Sequence, residues 1–335
     1  MPSNDINVKM ICSNSTDPWY NLALEEYLLR GINENEIILY LWQNDNTVVI
    51  GRNQNPWKEC KCKKLENEGG KLARRLSGGG AVYHDLGNLN FTFVMDKNLY
   101  DLDRQLNVIL QAVRSFGIDA EFSGRNDLTV HGKKFSGNAF YFLDKSSYHH
   151  GTILIDTDFS KLTDYLQVSK EKISSKGIDS VRSRVINLSE LNDSLTTENM
   201  KRYLIDSFEN IYGKSSTVIN VDNDTYNIQE IYDKYASWKW RFGEAPKFDI
   251  TFDKRFSWGG FELGLNLKNG HIKEAKIYSD AMNSQLIQKM ASCLLDVPFI
   301  MDRIIDAIGS ISTDDADKLI IDDVTAWLIE KSKSI

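Results

Sequence analysis

The sequence predicts an α+β protein of two domains, and three observations carry that reading. Short strand-like runs occur in neighbouring pairs joined by turn residues, whereas a doubly wound sheet would place a helix between nearly every two strands. The length of 335 residues is about twice that of an ordinary domain of roughly 150 residues. The pattern also changes after a break at residues 243–246, so the boundary is expected near 248, with a large domain over 1–248 and a small α+β domain over 249–335. The large domain is expected to hold mixed, mostly antiparallel sheets flanked by helices.

The elements follow in order. Asp17 and Pro18 supply an N-cap and a first helical residue, an amphipathic stretch follows, and Gly31 closes it. Residues 36–42 and 47–51 are short β-branched or aromatic runs separated by Asn44, Asp45 and Asn46, which predicts a hairpin. A helix is expected over 58–68, a short strand over 71–75, an alternating strand over 89–94, a helix over 102–116 and two extended segments over 133–143 and 148–155. Residues 158–242 read as helical. Beyond the break, Asn269 and Gly270 form the two-residue turn of a hairpin, and about fifty residues with helical periodicity follow it.

Composition excludes several classes. Hydrophobic residues make up 41% and charged residues 26% of the chain, which is ordinary globular usage and not that of a disordered protein. The longest apolar run, residues 37–42, is far shorter than the roughly 20 residues of a spanning helix, and the N-terminal residues lack a signal-peptide pattern. No membrane association is expected and the cytoplasm is the expected location. A net charge of −7 disfavours a nucleic-acid partner. Cys12, Cys60, Cys62 and Cys293 are too few and too irregular for a disulfide framework, and Cys60 with Cys62 has no second ligand pair at zinc spacing. These two are expected to be partly exposed helix thiols.

Three stretches can carry chemistry. Arg74, Arg75, Leu76, Ser77 and the glycines 78–80, followed by Ala81, Val82, Tyr83 and His84, combine a permissive backbone with a guanidinium fork, a pattern suited to an anion. The alternative is a glycine-rich loop with solvated arginines. Asp127 lies seven residues before Lys134, a pair able to manage nucleotide charge through a divalent cation and an ammonium. His149 and His150 adjoin on a strand and so point to opposite faces, one toward a pocket and one toward solvent or packing, which rules out a shared metal.

Taken together, the Arg-Arg-x-Ser-Gly-Gly-Gly segment, the stretch around Asp127, Lys134 with Ser136 and Gly137, the His149-His150-Gly151-Thr152 run and the aromatic stretch at 237–242 with its counterpart at 256–260 resemble the bacterial lipoate-protein ligase A family, from about Trp19 to Leu265. The resemblance implies a biotin/lipoate-ligase-like catalytic domain with an accessory C-terminal domain. It implies that lipoate and ATP with Mg²⁺ give lipoyl-AMP, and that the acyl group then passes to a lysine of an apo lipoyl domain, in lipoate salvage. The acceptors would be a glycine-cleavage H protein or 2-oxo acid dehydrogenase acyltransferase subunits, and the enzyme is expected to be a monomer.

By the same resemblance Lys134 is the catalytic lysine. Arg75, Ser77, Gly79, Gly80, Ala81, Val82 and Tyr83 hold the nucleotide with it, Asp127 ligates Mg²⁺, and Trp42, His84 and His150 line the lipoate pocket. Trp42 reads equally well as a core aromatic. A lipoyl-AMP-dependent transferase without adenylation, or a non-catalytic lipoate-binding module, are the alternatives. An acyl-thioester enzyme of this superfamily would need a cysteine after Lys134, and none occurs before Cys293.

Overall fold

The apolar run at residues 37–42 is buried along its whole length, which requires neighbours on both edges and cover on both faces. A computed structural model supplies them; it describes residues 6–123, 127–166, 184–214, 217–242, 249–268 and 270–332, without the side chain of Ala316. In chain order the strands are β1 (Asn7–Ser13), β2 (Glu36–Trp42), β3 (Thr47–Ile50), β4 (Lys71–Arg74), β5 (Val82–His84), β6 (Asn88–Asp96), β7 (Glu121–Ser123), β8 (Asp127–Val130), β9 (Lys133–Phe142), β10 (Ser146–Leu154), β11 (Val218–Val221), β12 (Ile250–Phe256), β13 (Gly259–Lys268) and β14 (His271–Ser279). The chain divides into two compact units. The first comprises Met1–Ile50, Pro56–Arg75 and Ala81–Arg241, and the second Gly51–Asn55, Leu76–Gly80 and Phe242–Ile335.

In the first unit an eight-stranded sheet runs β11-β1-β2-β6-β10-β9-β8-β7. Its first two pairings, β11 with β1 and β1 with β2, are parallel, and the remainder are antiparallel. A smaller sheet has the order β4-β3-β5. Alternation along β6 sorts its side chains. Leu89, Phe91, Phe93 and Met95 join Ile37, Leu39 and Leu41 of β2 in an apolar core with Leu106, Ile109 and Val113 of the helix Leu102–Arg114 and Leu204 and Phe208 of the helix Thr197–Tyr212. The intervening residues Asn90 and Thr92, with Tyr40 and Trp42 of β2, face the other way and are equally buried. One face of the sheet is therefore an apolar core and the other a buried polar layer, beneath the helix Pro18–Gly31.

The α+β class with mixed, mostly antiparallel sheets is as expected, but the local pattern misleads at three places. Residues 36–51 are not a hairpin: β2 pairs with β1 and β6, whereas β3 pairs with β4 and β5. The intervening turn carries Asn46 at φ 38°, and Asn44 is buried with its side chain tied to Asn21. The expected helix over 58–68 is two short helices, Pro56–Glu59 and Cys62–Asn67, because Cys60 bridges Leu166 and the Lys61 amide donates to the Tyr165 carbonyl at 2.8 Å. Cys60 and Cys62 are consequently buried instead of partly exposed. Within the stretch read as helical, Val218–Val221 forms a strand because β1 offers it a parallel edge, a non-local pairing that periodicity does not reveal.

The second unit is a β12-β13-β14 meander packed on the helices Ser284–Ser292, Met301–Gly309 and Asp315–Ser332. Phe261, Leu263, Ile287, Met290 and Trp327 are among its core residues, and Phe256 stacks on Trp258 with centroids 4.8 Å apart. At the β13–β14 turn Gly270 has φ 74°, while Asn269 lies outside the described residues. The two short inserts are bound into this unit by polar contacts. Ser279 N–H donates to Asn53 O at 2.9 Å, Gly79 N–H to Ala281 O at 3.2 Å and Ser284 Oγ to Leu76 O at 3.1 Å.

A Cβ on Gly78 would lie 2.2 Å from both the Ala281 and Met282 carbonyl oxygens, and backbone atoms cannot rotate away. Gly78→Ala is therefore expected to destabilise the second unit by about 1–3 kcal/mol. Hydrogen exchange checks this: the Gly79 amide should exchange at least about tenfold faster, since 1.4 kcal/mol is a factor of ten.

Candidate functional site

Lys134 stands on an irregularity of β9. Thr129 pairs with Lys134 and Leu128 with Ser136, so Phe135 is the extra residue of a bulge, a device that re-aims a neighbouring side chain. The Lys134 backbone is held from a second direction as well: its N–H donates to Arg184 O at 2.7 Å and its carbonyl accepts from Ile186 N at 3.0 Å. From this backbone the ammonium reaches Asp127, with Nζ 2.8 Å from Oδ1 and both side chains 36% exposed. The seven-residue spacing read in the sequence is closed by the β8–β9 pairing. Gly137 makes room for the lysine, since a Cβ there would approach Nζ to 2.7 Å and Cε to 2.8 Å.

This end of the site also bears on the divalent cation. Among the described residues there is no group of three or more His, Cys, Asp or Glu able to hold a metal ion. A single half-exposed carboxylate suits Mg²⁺, which keeps its waters and takes most of its ligands from substrate phosphates. Asp127 fits that role.

Two cross-strand rows lead inward. His150 pairs with Ala139 on one side and Thr92 on the other, and Thr92 with Tyr40; Thr152 pairs with Asn90, and Asn90 with Trp42. The rows are tied by a buried chain of hydrogen bonds. Trp42 Nε1 donates to Thr92 Oγ1 at 3.0 Å, Thr92 Oγ1 donates to Glu25 Oε1 at 2.7 Å, and His150 Nδ1 lies 2.8 Å from the same oxygen. Glu25 is 1% exposed. Trp42 also stacks on Tyr40, with centroids 6.0 Å apart, and meets the His84 ring edge-on at 6.1 Å. Trp42, His84 and His150, named from the sequence, thus lie in one layer.

Arg75 is buried, and its guanidinium donates to Val49 O at 3.3 Å. Burial draws it down to about 10, with Tyr148 and Glu25 acting in the opposite direction, so it stays cationic near neutrality. Burial also holds His84 down at about 3, reinforced by the nearby charges of Arg75 and His150. His149 turns to the opposite face, as strand alternation requires. It meets packing and not solvent: its Nδ1 lies 3.0 Å from Gln105 Oε1, its Nε2 2.8 Å from Asn138 Oδ1, and its ring lies among Phe91, Phe93 and Phe140. Burial keeps it neutral, at about 3.

The other expected nucleotide residues are distributed. Ser77, Gly79 and Gly80 belong to the second unit, whereas Ala81, Val82 and Tyr83 belong to the first. Gly79 has φ 87° and its N–H donates to Ala281 O. Tyr83 is buried and its hydroxyl donates to Asn46 Oδ1 at 3.2 Å.

Glu25, Thr92 and Asn90 are absent from the expected site residues, and Asn44 and Gly137 enter the sequence reading only as a turn residue and as part of a motif. The signal for two of them is present: Asn90 and Thr92 alternate with Leu89, Phe91 and Phe93, and polar residues on one face of a strand this apolar mark a buried polar layer. Glu25 and Asn44 carry no such mark, because their partners are distant in sequence.

Comparison with known proteins completes the description. Residues 17–209 match the family model described as the lipoyl protein ligase A/B catalytic domain, and residues 245–328 match that of the bacterial lipoate protein ligase C-terminus. A curated lipoate-protein ligase A of Psychrobacter cryohalolentis is 41% identical over 97% of this chain and 98% of its own length. The crystal structure of P. falciparum LipL1 in complex with lipoate superposes with a TM-score of 0.86 at 35% identity, covering 97% of this chain and all of that one. A bipartite lipoate protein ligase of Thermoplasma acidophilum, studied with its E2 lipoyl domain, gives 0.65 at 27% identity, over 73% of this chain and 100% of that one. A lipoate-protein ligase A bound with ATP gives 0.63 at 25%, over 71% and 99%.

The two buried histidines set a pH dependence. In the folded chain His84 and His149 take up protons only near 3, whereas in the unfolded chain they do so near 6.5, so the unfolded state binds more protons between those values and stability falls as pH falls through that window. The expected slope is about 1.4 kcal/mol per pH unit for each. Denaturant titrations at pH 7.5, 6 and 5 should show stability level above about 6.5 and declining below it.

Proposed function

This chain belongs to the lipoate-protein ligase A family, and from that premise we propose that Lys134 is its catalytic residue in the ATP-dependent attachment of lipoate to protein. The observation that carries the assignment is the placement of the Lys134 ammonium beside Asp127, on a backbone pinned from two sides, at the outer end of the buried rows.

In the first step a lipoate carboxylate oxygen attacks the α-phosphorus of ATP. The bond from that phosphorus to the bridging oxygen breaks, giving lipoyl-AMP and pyrophosphate. Nucleophile and electrophile are both anionic, so the barrier is lowered chiefly by positioned cations. Lys134 sits between the carboxylate and the α-phosphate in this reading, and Arg75, a buried permanent cation, holds the carboxylate or phosphate side of the adenylate. Asp127 would hold Mg²⁺, which when bound neutralises phosphate charge. Ala81, Val82 and Tyr83 are assigned to the nucleotide, and Ser77, Gly79 and Gly80 keep that assignment on the resemblance alone.

In the second step the neutral ε-amine of the acceptor lysine attacks the acyl carbonyl. The mixed-anhydride C–O bond breaks, AMP leaves, and the amine loses a proton as the amide forms. In this reading Lys134 polarises the carbonyl and stabilises departing AMP.

Three of the four thiols are poorly suited to an acyl-thioester alternative, and the fourth, Cys62, which its contact with Cys60 lowers, is buried. Burial raises Cys12, and raises Cys293 to about 11, while Cys60 is raised by its contact with Cys62 and by burial. All four cysteines are free, which suits a reducing compartment, and among the described residues no helix is long and apolar enough to cross a membrane. The reading places the enzyme in the cytoplasm as a monomer. Its acceptors are apo lipoyl domains, with the glycine-cleavage H protein and 2-oxo acid dehydrogenase acyltransferases as the specific candidates.

The decisive assay incubates the protein with ATP, Mg²⁺, lipoate and a panel of apo lipoyl domains and reads the mass shift, with one arm lacking ATP and another supplied with lipoyl-AMP. Lipoylation without ATP only when lipoyl-AMP is supplied, together with full ATP dependence otherwise, is expected. Lys134→Ala should lower lipoate-dependent ATP–pyrophosphate exchange by at least about 10²-fold with little change in melting temperature, because the side chain is half-exposed; undiminished exchange would refute the role. Gly137→Ala should displace the ammonium and lower kcat by about tenfold more than it alters KM, read from the same exchange assay.

A further inference from the structure

We propose that Asn90 and His84 form a pair of hydrogen-bond donors that selects acyl groups with sulfur at the far end of the chain, such as the dithiolane of lipoate, over all-carbon acids of the same shape. The inference rests on the reading of Trp42, His84 and His150 as the acyl pocket and identifies the atoms that give it selectivity.

The state of His84 follows from its neighbours. Asn21 Nδ2 donates to Asn44 Oδ1 at 3.0 Å, which turns the Asn44 amide nitrogen toward His84 Nδ1 at 3.2 Å. Asn21 is itself oriented, because its Oδ1 accepts from Ser13 Oγ at 2.7 Å and from Tyr40 Oη at 3.0 Å. With Nδ1 an acceptor, the neutral ring carries its proton on Nε2. That nitrogen is buried and has no hydrogen-bond partner among the described residues. Asn90 repeats the situation on the neighbouring sheet. Its Oδ1 accepts from Asn88 Nδ2 at 2.9 Å, while its own Nδ2, like Asn88 Oδ1, is buried and has no partner among the described residues.

Both donors border Trp42. The His84 ring meets the indole edge-on at 6.1 Å, and Asn90 is the cross-strand partner of Trp42. The indole N–H cannot serve the same purpose, since it donates to Thr92. From Thr152 on β10, whose hydroxyl accepts from the Gly137 amide at 3.3 Å, to Trp42 on β2 is two strand spacings, about 10 Å. An acyl chain whose carboxyl meets Lys134 therefore brings its far end to Trp42 and the two donors.

Divalent sulfur accepts hydrogen bonds weakly, whereas a hydrocarbon ring or chain accepts none. An all-carbon substrate would leave both donors desolvated and unpaired, and sites built around a buried polar group reject analogues that lack its partner.

The test uses the full-length chain with ATP, Mg²⁺ and an apo lipoyl domain, and compares kcat/KM for lipoate, for octanoate and for 5-cyclopentylpentanoate, which keeps a five-membered ring without sulfur. The wild type should favour lipoate over the cyclopentyl acid by about tenfold or more. Asn90→Leu and His84→Phe should each bring that ratio toward one, by raising the value for the cyclopentyl acid and lowering the value for lipoate. Equal use of lipoate and the cyclopentyl acid by the wild type overturns the proposal without any variant having to fold, as does a fall for all three acids that leaves the ratio intact. In both outcomes lipoyl-AMP still forms and the ligase reading stands. Failure of the wild type to form lipoyl-AMP at all overturns the pocket reading and the selectivity with it.

Discussion

Glu25 is a carboxylate almost wholly removed from water, and the polar layer of the first unit is organised around it. A buried carboxylate is tolerated only when its lone pairs are met by donors. Here Thr92 and His150 both meet Oε1, one from β6 and one from β10, so a single oxygen ties the helix Pro18–Gly31 to two adjacent strands. Thr92 in turn receives the Trp42 indole. The orientation of Trp42 and of His150 therefore depends on a residue that belongs to neither motif. Each connection in such a layer adds rigidity, and among the described residues the layer leaves polar atoms of His84, Asn88 and Asn90 without a partner.

The end that carries Lys134 is controlled by backbone, not by side-chain packing. The bulge at Phe135 and the hydrogen bonds to Arg184 and Ile186 determine where Lys134 begins, and the absence of a side chain at Gly137 determines where it can go. The ammonium itself remains half-exposed. In the proposed reaction the ammonium exchanges a carboxylate partner for a phosphate, and that exposure favours the exchange, which a fully buried ion pair would resist.

The glycine triplet has a local structural explanation beside its proposed chemical one. Gly78 lies against two carbonyls of residues 281 and 282, and the Gly79 amide is bonded to the first of them. The segment Leu76–Gly80 is thus part of the second unit although it lies in the middle of the first in sequence. The close approach of one backbone to another, as much as of a backbone to an anion, accounts for glycine there.

Sequence alone determined the class of fold and the strands of the large sheet with strong alternation, because periodicity is a local property that survives in one dimension, while the resemblance of its motifs to a known family singled out Lys134, Asp127, Arg75, Trp42, His84 and His150. It misassigned residues 36–51 as a hairpin and passed over the strand Val218–Val221, since in both cases the pairing strand is far away in the chain and local pattern is silent about distance. Glu25, Asn44 and the clamp at residues 184–186 were invisible for the same reason. Tertiary structure decided which polar residues became partners, which of two neighbouring histidines entered the pocket layer, and which donors were left without acceptors. Those outcomes depend on what covers each face of a sheet, and a face is a property of the folded chain.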